Sequence, residues 1–232
     1  HYKHIPGDAA TICGNYVLRV LQDYEGNFWV GTWADGLTIF NPRAKTYMHF
    51  RNDPEDPHSL SSNNAWAFFE DRNHRMWVGT YGGGLERYDP ATHSFIHYQH
   101  HEDDPNSLGN DKIHALLQDS KGRMWIGMDG GGMDLFDPLT GHFAHYRPTE
   151  ATNSLCSDYV NNITEDKWGN LWISTTEGLC RYQVNANLFT TYTTRDGLPD
   201  DVIFGVLEDS TDHFWISSNK GLCRFDTRHR HA

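Results

Sequence analysis

The sequence predicts an all-β fold, a β-propeller of four-stranded antiparallel blades, and three observations predict it. A tryptophan recurs as Trp29, Trp77, Trp125, Trp172 and Trp215, and an aspartate stands six residues before each one, at Asp23, Asp71, Asp119, Asp166 and Asp209. Short runs of β-branched and aromatic residues alternate with turn signals, and helical apolar periodicity is absent. Self-similarity with a period in the forties marks a repeat architecture. A lone four-stranded sheet cannot bury both faces, whereas radially stacked sheets bury each face on a neighbour.

The elements of each copy follow in fixed order. An apolar residue, two variable ones and then Asn or Asp open it: Ile12/Asn15, Leu60/Asn63, Leu108/Asp111, Leu155/Asp158 and Leu198/Asp201. After the Trp comes a glycine followed by an apolar residue (Gly36-Leu37, Gly84-Leu85, Gly132-Met133, Gly178-Leu179, Gly221-Leu222), and then an aromatic: Phe40, Tyr88, Phe136, Tyr182 or Phe225. In the third copy the first strand reads Ile113 to Gln118, and Asp119-Ser120-Lys121-Gly122 supplies a tight turn. There Gly122 admits a positive φ, and the Asp carboxylate can accept from N–H groups two residues on. The second strand reads Arg123 to Gly127, Gly130 to Gly132 turn the chain, and the third strand ends at Asp137-Pro138 because proline has no N–H for a ladder. The fourth strand reads His142 to Tyr146.

Blades therefore fall at approximately residues 15–50, 63–98, 111–146, 158–192 and 201–226, in a single propeller domain spanning 1–232. His1-Tyr2 matches His49-Phe50, His97-Tyr98 and His145-Tyr146, so residues 1–5 read as the remnant of a fourth strand. That segment is expected either to complete the fifth blade and close a ring of five, or to belong to a larger ring.

Composition narrows the function classes. The formal charge of −12 and the lack of a Lys/Arg cluster argue against nucleic acid as a partner, because phosphate-backbone affinity rests on clustered cations. No run of about 18 apolar residues suggests insertion in a membrane. The opening His1-Tyr2-Lys3-His4 does not read as a secretory signal. Cys180 and Cys223 occupy equivalent places in neighbouring copies, as do Cys13 and Cys156. Equivalent places in adjacent blades lie too far apart for a disulfide, so all four cysteines are expected free.

These repeats resemble the two-component regulator propeller repeat. The likeness rests on Asp23-Tyr24-Glu25-Gly26-Asn27-Phe28-Trp29-Val30-Gly31-Thr32, on Asp119 to Gly127, and on the linker Asp104-Pro105-Asn106-Ser107-Leu108. It covers nearly the whole chain. Departures are local: His74 and Asp212 replace the turn glycine, Met128 the threonine, and Gln183-Val184 the Asp-Pro. The resemblance implies the periplasmic sensor region of a hybrid two-component histidine kinase, within a ring that is usually seven-bladed. It also implies glycan-like ligands and a parent that is membrane-anchored and able to pair as a homodimer. No kinase or receiver segment is present, so the chain itself is expected to be non-catalytic and to need no cofactor or metal.

If the first strands line a central channel, the connections before them and the turns between second and third strands share the ligand face. That face collects Tyr16, Asn64, Lys112 and Tyr159 from the connections, with Trp33, Asp35, Tyr81, Asp129 and Glu177 from the turns. Aromatic, amide and charged side chains suit a small molecule or oligosaccharide, whose rings stack and whose hydroxyls hydrogen-bond. These positions vary from copy to copy while the scaffold does not, and loops on a rigid scaffold are where specific sites are built. Two other classes compete. A glycoside hydrolase or a propeller lyase needs paired acids, and Glu70, Glu165 and Glu208 are the candidates, although a repeating acid is the expected product of blade duplication. A protein-interaction scaffold is the third. His49, His97 and His145 recur on outer strands of different blades and do not converge on a metal.

Overall fold

The computed structural model describes residues 1–211 and 213–225; Asp212 and Asp226, both used in delimiting the fifth repeat, lie outside the described residues. The chain forms two compact units, His1–Ile113 and His114–Ala232, divided at the start of β9.

In the first unit, β1 (Val17–Gln22), β2 (Phe28–Thr32), β3 (Leu37–Asn41) and β4 (Thr46–Phe50) make one antiparallel sheet. A second sheet holds β5 (Ala65–Glu70), β6 (Met76–Thr80), β7 (Gly84–Asp89) and β8 (Ser94–Tyr98), again in sequence order. The second unit carries three more sheets. The first contains β9 (Ile113–Gln118), β10 (Met124–Met128), β11 (Met133–Asp137) and β12 (His142–Tyr146). The next contains β13 (Val160–Glu165), β14 (Leu171–Thr175), β15 (Leu179–Gln183) and β16 (Leu188–Tyr192), and the last β17 (Ile203–Glu208), β18 (Phe214–Ser218) and β19 (Gly221–Phe225). These five sheets are propeller blades, and the only helical element among the described residues is one 3-10 turn, Thr194–Asp196. β10 starts one residue later than the sequence predicts, because the Arg123 N–H and guanidinium both bond to Asp119 in the turn.

Residues 1–5 form no strand, and β19 pairs only with β18 among the described residues. The reason is local. The His4 N–H donates to Asn15 Oδ1 and its ring contacts the Ile12 carbonyl, as His100 does with Asp111 and Leu108. Tyr2 lies 5.2 Å from Phe40. The residues that follow His1-Tyr2 are a connection and hold the segment to the first blade.

The Asp–Trp pair is one hydrogen bond made five times. Each indole Nε1 donates to the aspartate six residues earlier, at 2.8 Å for Asp23, 3.1 Å for Asp71, 2.9 Å for Asp119, 3.0 Å for Asp166 and 3.0 Å for Asp209. The other carboxylate oxygen accepts from the backbone N–H four residues on, which closes the turn between first and second strands. For Asp71 and Asp119 burial alone pushes the carboxyl pKa up, but donation from the indole, the turn N–H groups and the Arg75 or Arg123 guanidinium outweighs it and holds the group below its ordinary range.

Trp29, Trp125 and Trp172 then fill the space against the following blade. Trp29 meets Tyr88 edge-on at 5.1 Å, Trp125 meets Tyr182 at 5.9 Å, and Trp172 meets Phe214 at 4.5 Å. Trp29, Trp77, Trp125 and Trp172 are at most 2% exposed, whereas Trp215 is 41% exposed. Glycine two residues after the Trp belongs to this packing. A Cβ on Gly79 would lie 2.4 Å from Ile113 Cγ2, and one on Gly127 2.5 Å from Val160 Cγ1, so the missing side chain lets the next blade's first strand approach.

A buried polar layer joins third and fourth strands. Thr38 faces His49, Glu86 faces His97, Asp134 faces His145 and Cys180 faces Thr191. His49 and His97 also reach carbonyls of the connections, Ala9 and Pro57, while His145 sits 2.7 Å from Asp134. Burial drives the Glu86 carboxyl up to about 8, only partly countered by the N–H and hydroxyl of Ser61.

Candidate functional site

The turn between second and third strands is bound to the connection that opens the following blade. In the first unit Gly36 N–H donates to Asn63 O, and Gly82 N–H to Asp111 O; in the second, Gly130 N–H donates to Asp158 O and Gly178 N–H to Asp201 O. Variable side chains on the two segments are thereby set at a fixed spacing.

In the first unit this device gathers an aromatic cluster. Trp33 is fixed by its N–H to the Tyr16 carbonyl, and its neighbour Ala34 donates to Asn64 Oδ1 at 2.8 Å. Tyr81 N–H donates to the Asn64 carbonyl, and Tyr81 forms an isolated bridge with Lys112. Trp33 and Tyr81 stand 6.0 Å apart, and Trp66 completes a triangle at 6.0 Å from Trp33 and 5.7 Å from Tyr81. Lys112 Nζ lies 5.4 Å from the Tyr81 ring centre. Trp33 remains 44% exposed, so the cluster is open to solvent.

Other predicted residues are placed differently. Tyr16 gives its carbonyl to Trp33, but its ring is 78% exposed. Asp35 stands beside Arg51, whose guanidinium donates to the Asp35 carbonyl and lies 4.0 Å from its carboxylate. In the second unit Asp129 and Tyr159 are joined as an isolated bridge, and Tyr159 N–H donates to Ser157 Oγ. Next to them is His114, whose pKa burial lowers against the opposing charge of Asp129 and a hydrogen bond that its ring donates to Asn161.

Trp66, His114 and Asn161 were not among the predicted residues. All three are the second residue of a first strand, and the register explains two of them. The ladder skips a residue between Ala65 and Ala67, and again between Val160 and Asn162, so Trp66 and Asn161 sit on bulges. A bulge leaves its extra residue out of the pairing and re-aims the side chain. The same skip recurs at Leu18 and Phe204. The available signal was compositional, since Leu18, Trp66, His114, Asn161 and Phe204 are five different residue types while the position before each is a small or β-branched apolar residue.

The acids offered for hydrolysis are committed to the scaffold. Glu70 accepts from the Tyr24 N–H at 2.8 Å, Glu165 from the Ser120 N–H and hydroxyl at 2.6 Å each, and Glu208 from the Lys167 N–H at 3.0 Å. In each case the glutamate caps the first turn of the preceding blade. Where glutamine stands instead, Gln22 and Gln118 donate to their own turn, at Gly26 and Gly122. Among the described residues no three His, Cys, Asp or Glu side chains are grouped to hold a metal, and no helix is long and apolar enough to cross a membrane.

The two component regulator propeller family matches this sequence four times, at residues 11–34, 59–82, 107–130 and 154–177. No curated protein matches it. Among solved structures, the extracellular domain of a B. thetaiotaomicron protein assigned to a hybrid two component system superposes with a TM-score of 0.75 at 27% identity, over 93% of this chain and 29% of that one. PorZ, a surface component of the type-IX secretion system of Porphyromonas gingivalis, gives 0.70 at 20% identity over 96% of this chain and 34% of that one. Virginiamycin B lyase from Staphylococcus aureus gives 0.63 at 12% identity over 97% and 73%. The last two share the fold alone. The chain spans under a third of the length of the B. thetaiotaomicron domain.

Proposed function

We propose that this chain, which belongs to the two-component regulator propeller family, is a non-catalytic ligand-sensing region of a two-component receptor and that its ligand is a carbohydrate. The likeness to the extracellular domain of a hybrid two component system supports a sensor region outside the cytoplasm. On this reading the compartment is the periplasm, and the parent is a membrane-anchored histidine kinase that signals as a homodimer.

The observation that carries the carbohydrate reading is the open triangle of Trp33, Trp66 and Tyr81 with Lys112 at its edge. Indole and phenol faces stack on the apolar face of a sugar, and the ammonium, like the polar edges of the aromatics, meets hydroxyl or carboxylate groups. Three rings already in mutual contact lose little freedom on binding, so affinity is not spent on ordering them. A lyase or hydrolase reading has the propeller fold in its favour, but Glu70, Glu165 and Glu208 already serve as turn caps.

Thermal-shift and calorimetric titration against an oligosaccharide panel test the proposal. A ligand that raises Tm without being consumed is expected, and Trp33→Ala and Tyr81→Ala should each weaken it at least tenfold while leaving the unliganded Tm within a few degrees. Turnover of the ligand, or binding indifferent to both substitutions, overturns the reading.

A further inference from the structure

Cys156 and Cys180 come from different places in the repeat. Cys156 precedes β13 in the connection, and Cys180 is the second residue of β15, facing Thr191. Both are free thiols in the structure. The Cys156 N–H donates to Cys180 Sγ at 3.1 Å, so with an N–Cα bond of about 1.46 Å the Cys180 sulfur lies within about 4.6 Å of the Cys156 Cα. Thr175 Oγ1 lies 3.4 Å from Cys156 Sγ, and Thr191 Oγ1 lies 3.5 Å from Cys180 Sγ. A disulfide sets each sulfur close to the partner residue's backbone, and the position of Cys180 Sγ meets that need.

We propose that Cys156 and Cys180 form a disulfide, made by exchange with a disulfide oxidant, that ties the connection carrying Tyr159 to β15. The two sulfurs have different roles. Cys156 is only partly buried, and donation from the Cys180 thiol lowers its pKa despite burial, which makes it the attacking group. Cys180 is fully buried and its pKa is raised, by its bond to Cys156 and by desolvation, which makes it the resolving group. The Cys156 thiolate attacks one sulfur of the oxidant and expels one thiolate, leaving a mixed disulfide. Cys180 then attacks Cys156 Sγ, and its proton passes to the second departing thiolate. Two protein thiols and one oxidant disulfide become one protein disulfide and two oxidant thiols. Cys13 and Cys223 have no such partner in their own blades: position 38 facing Cys13 is a threonine, and position 199 facing Cys223's repeat place is a proline.

The test equilibrates the chain with oxidised glutathione, quenches in acid, alkylates under denaturing conditions and digests with trypsin without reduction. Arg147 is followed by Pro148, so cleavage at Arg123, Lys167 and Arg181 gives peptides 124–167 and 168–181. They are expected as one linked species about 2 Da lighter than their sum, with the thiol count falling from four to two. The oxidised chain should melt about 5–10 °C above the same sample treated with dithiothreitol, since the bridge closes a loop of 24 positions. The Cys156→Ser chain should show no such difference. Because that variant is at risk of misfolding, the C13S/C223S chain gives the second reading: its two remaining thiols should disappear together. Four alkylated thiols after oxidation, or a link joining any other pair, overturns the inference.

Discussion

Replacing Asp119 by alanine isolates what the repeated Asp–Trp pair contributes. The carboxylate accepts the Trp125 indole at 2.9 Å, the Arg123 guanidinium at 2.6 Å and the backbone N–H groups of Lys121 and Arg123 at 3.0 and 2.9 Å. Trp125 is 0% exposed, so its N–H is stranded without water when the acceptor goes, at about 1–3 kcal/mol. The turn N–H groups stand nearer solvent and recover part of their bonding, which adds about 1 kcal/mol. The expected loss is therefore about 3 kcal/mol, read as a fall in urea midpoint at constant m. Two controls separate the indole bond from general damage. Asp209→Ala removes the equivalent indole and turn N–H bonds, with the Thr211 hydroxyl in place of an arginine, next to Trp215, which is 41% exposed, so water replaces the acceptor and the loss should be clearly smaller. In a Trp125→Phe background the Asp119 substitution should cost about 1–2 kcal/mol less than in the native chain, because no donor is left stranded. Equal losses at Asp119 and Asp209, with no coupling to Trp125, would refute the reasoning.

Further outcomes follow from other contacts. Gly127→Ala should destabilise by about 2–3 kcal/mol in a urea titration because its Cβ would lie 2.5 Å from Val160, whereas Gly82→Ala, which meets open space but has a φ of 99°, should cost about 1 kcal/mol. Glu86 has a folded pKa of about 8, above its unfolded value, so the native state holds the extra proton between pH 4.5 and 8. Stability from that group therefore falls as pH rises through this window, and Glu86→Gln should flatten the decline in Tm between pH 5 and 8. Asp71 and Asp119 have the opposite sign: their pKa values are lowered, so their contribution is complete above the ordinary carboxylate range and lost as pH falls through the folded values, seen as acid unfolding that Asp119→Asn shifts upward in pH. Glu165→Gln should lower the urea midpoint modestly, by about 1 kcal/mol, and leave ligand binding intact; loss of binding would return the glutamate to the site.

The blades were legible in the sequence because their determinants are local. Asp119, Gly122 and Trp125 lie within seven residues and close one hairpin, and the same set recurs in each copy with few departures. Packing between blades was only half legible: Trp announced itself, but that Gly79 and Gly127 make room for Ile113 and Val160 needs both strands in view. The candidate site was legible where it lies in loops, as with Trp33, Tyr81 and Lys112. Trp66 was missed because a bulge is a property of the pairing between two strands, and nothing in the order Ala65-Trp66-Ala67 marks it. Asp35 was included on residue type, yet its neighbour Arg51 comes from beyond β4. The four thiols were compared only between equivalent positions, which hid the contact between Cys156 and Cys180 within one blade.

The bulges at Leu18, Trp66, Asn161 and Phe204 separate two demands that most strand residues must meet together. A residue skipped by the ladder stands outside the register, so its identity answers to what surrounds the strand rather than to the pairing that builds the sheet. Each of these four blades thereby owns one writable letter in an otherwise fixed sentence. On the proposed ligand-sensing reading, recognition in the first unit can be redesigned by randomising positions 18 and 66 together with 33, 81 and 112, while the turns and Asp–Trp bonds that fold the blade stay untouched.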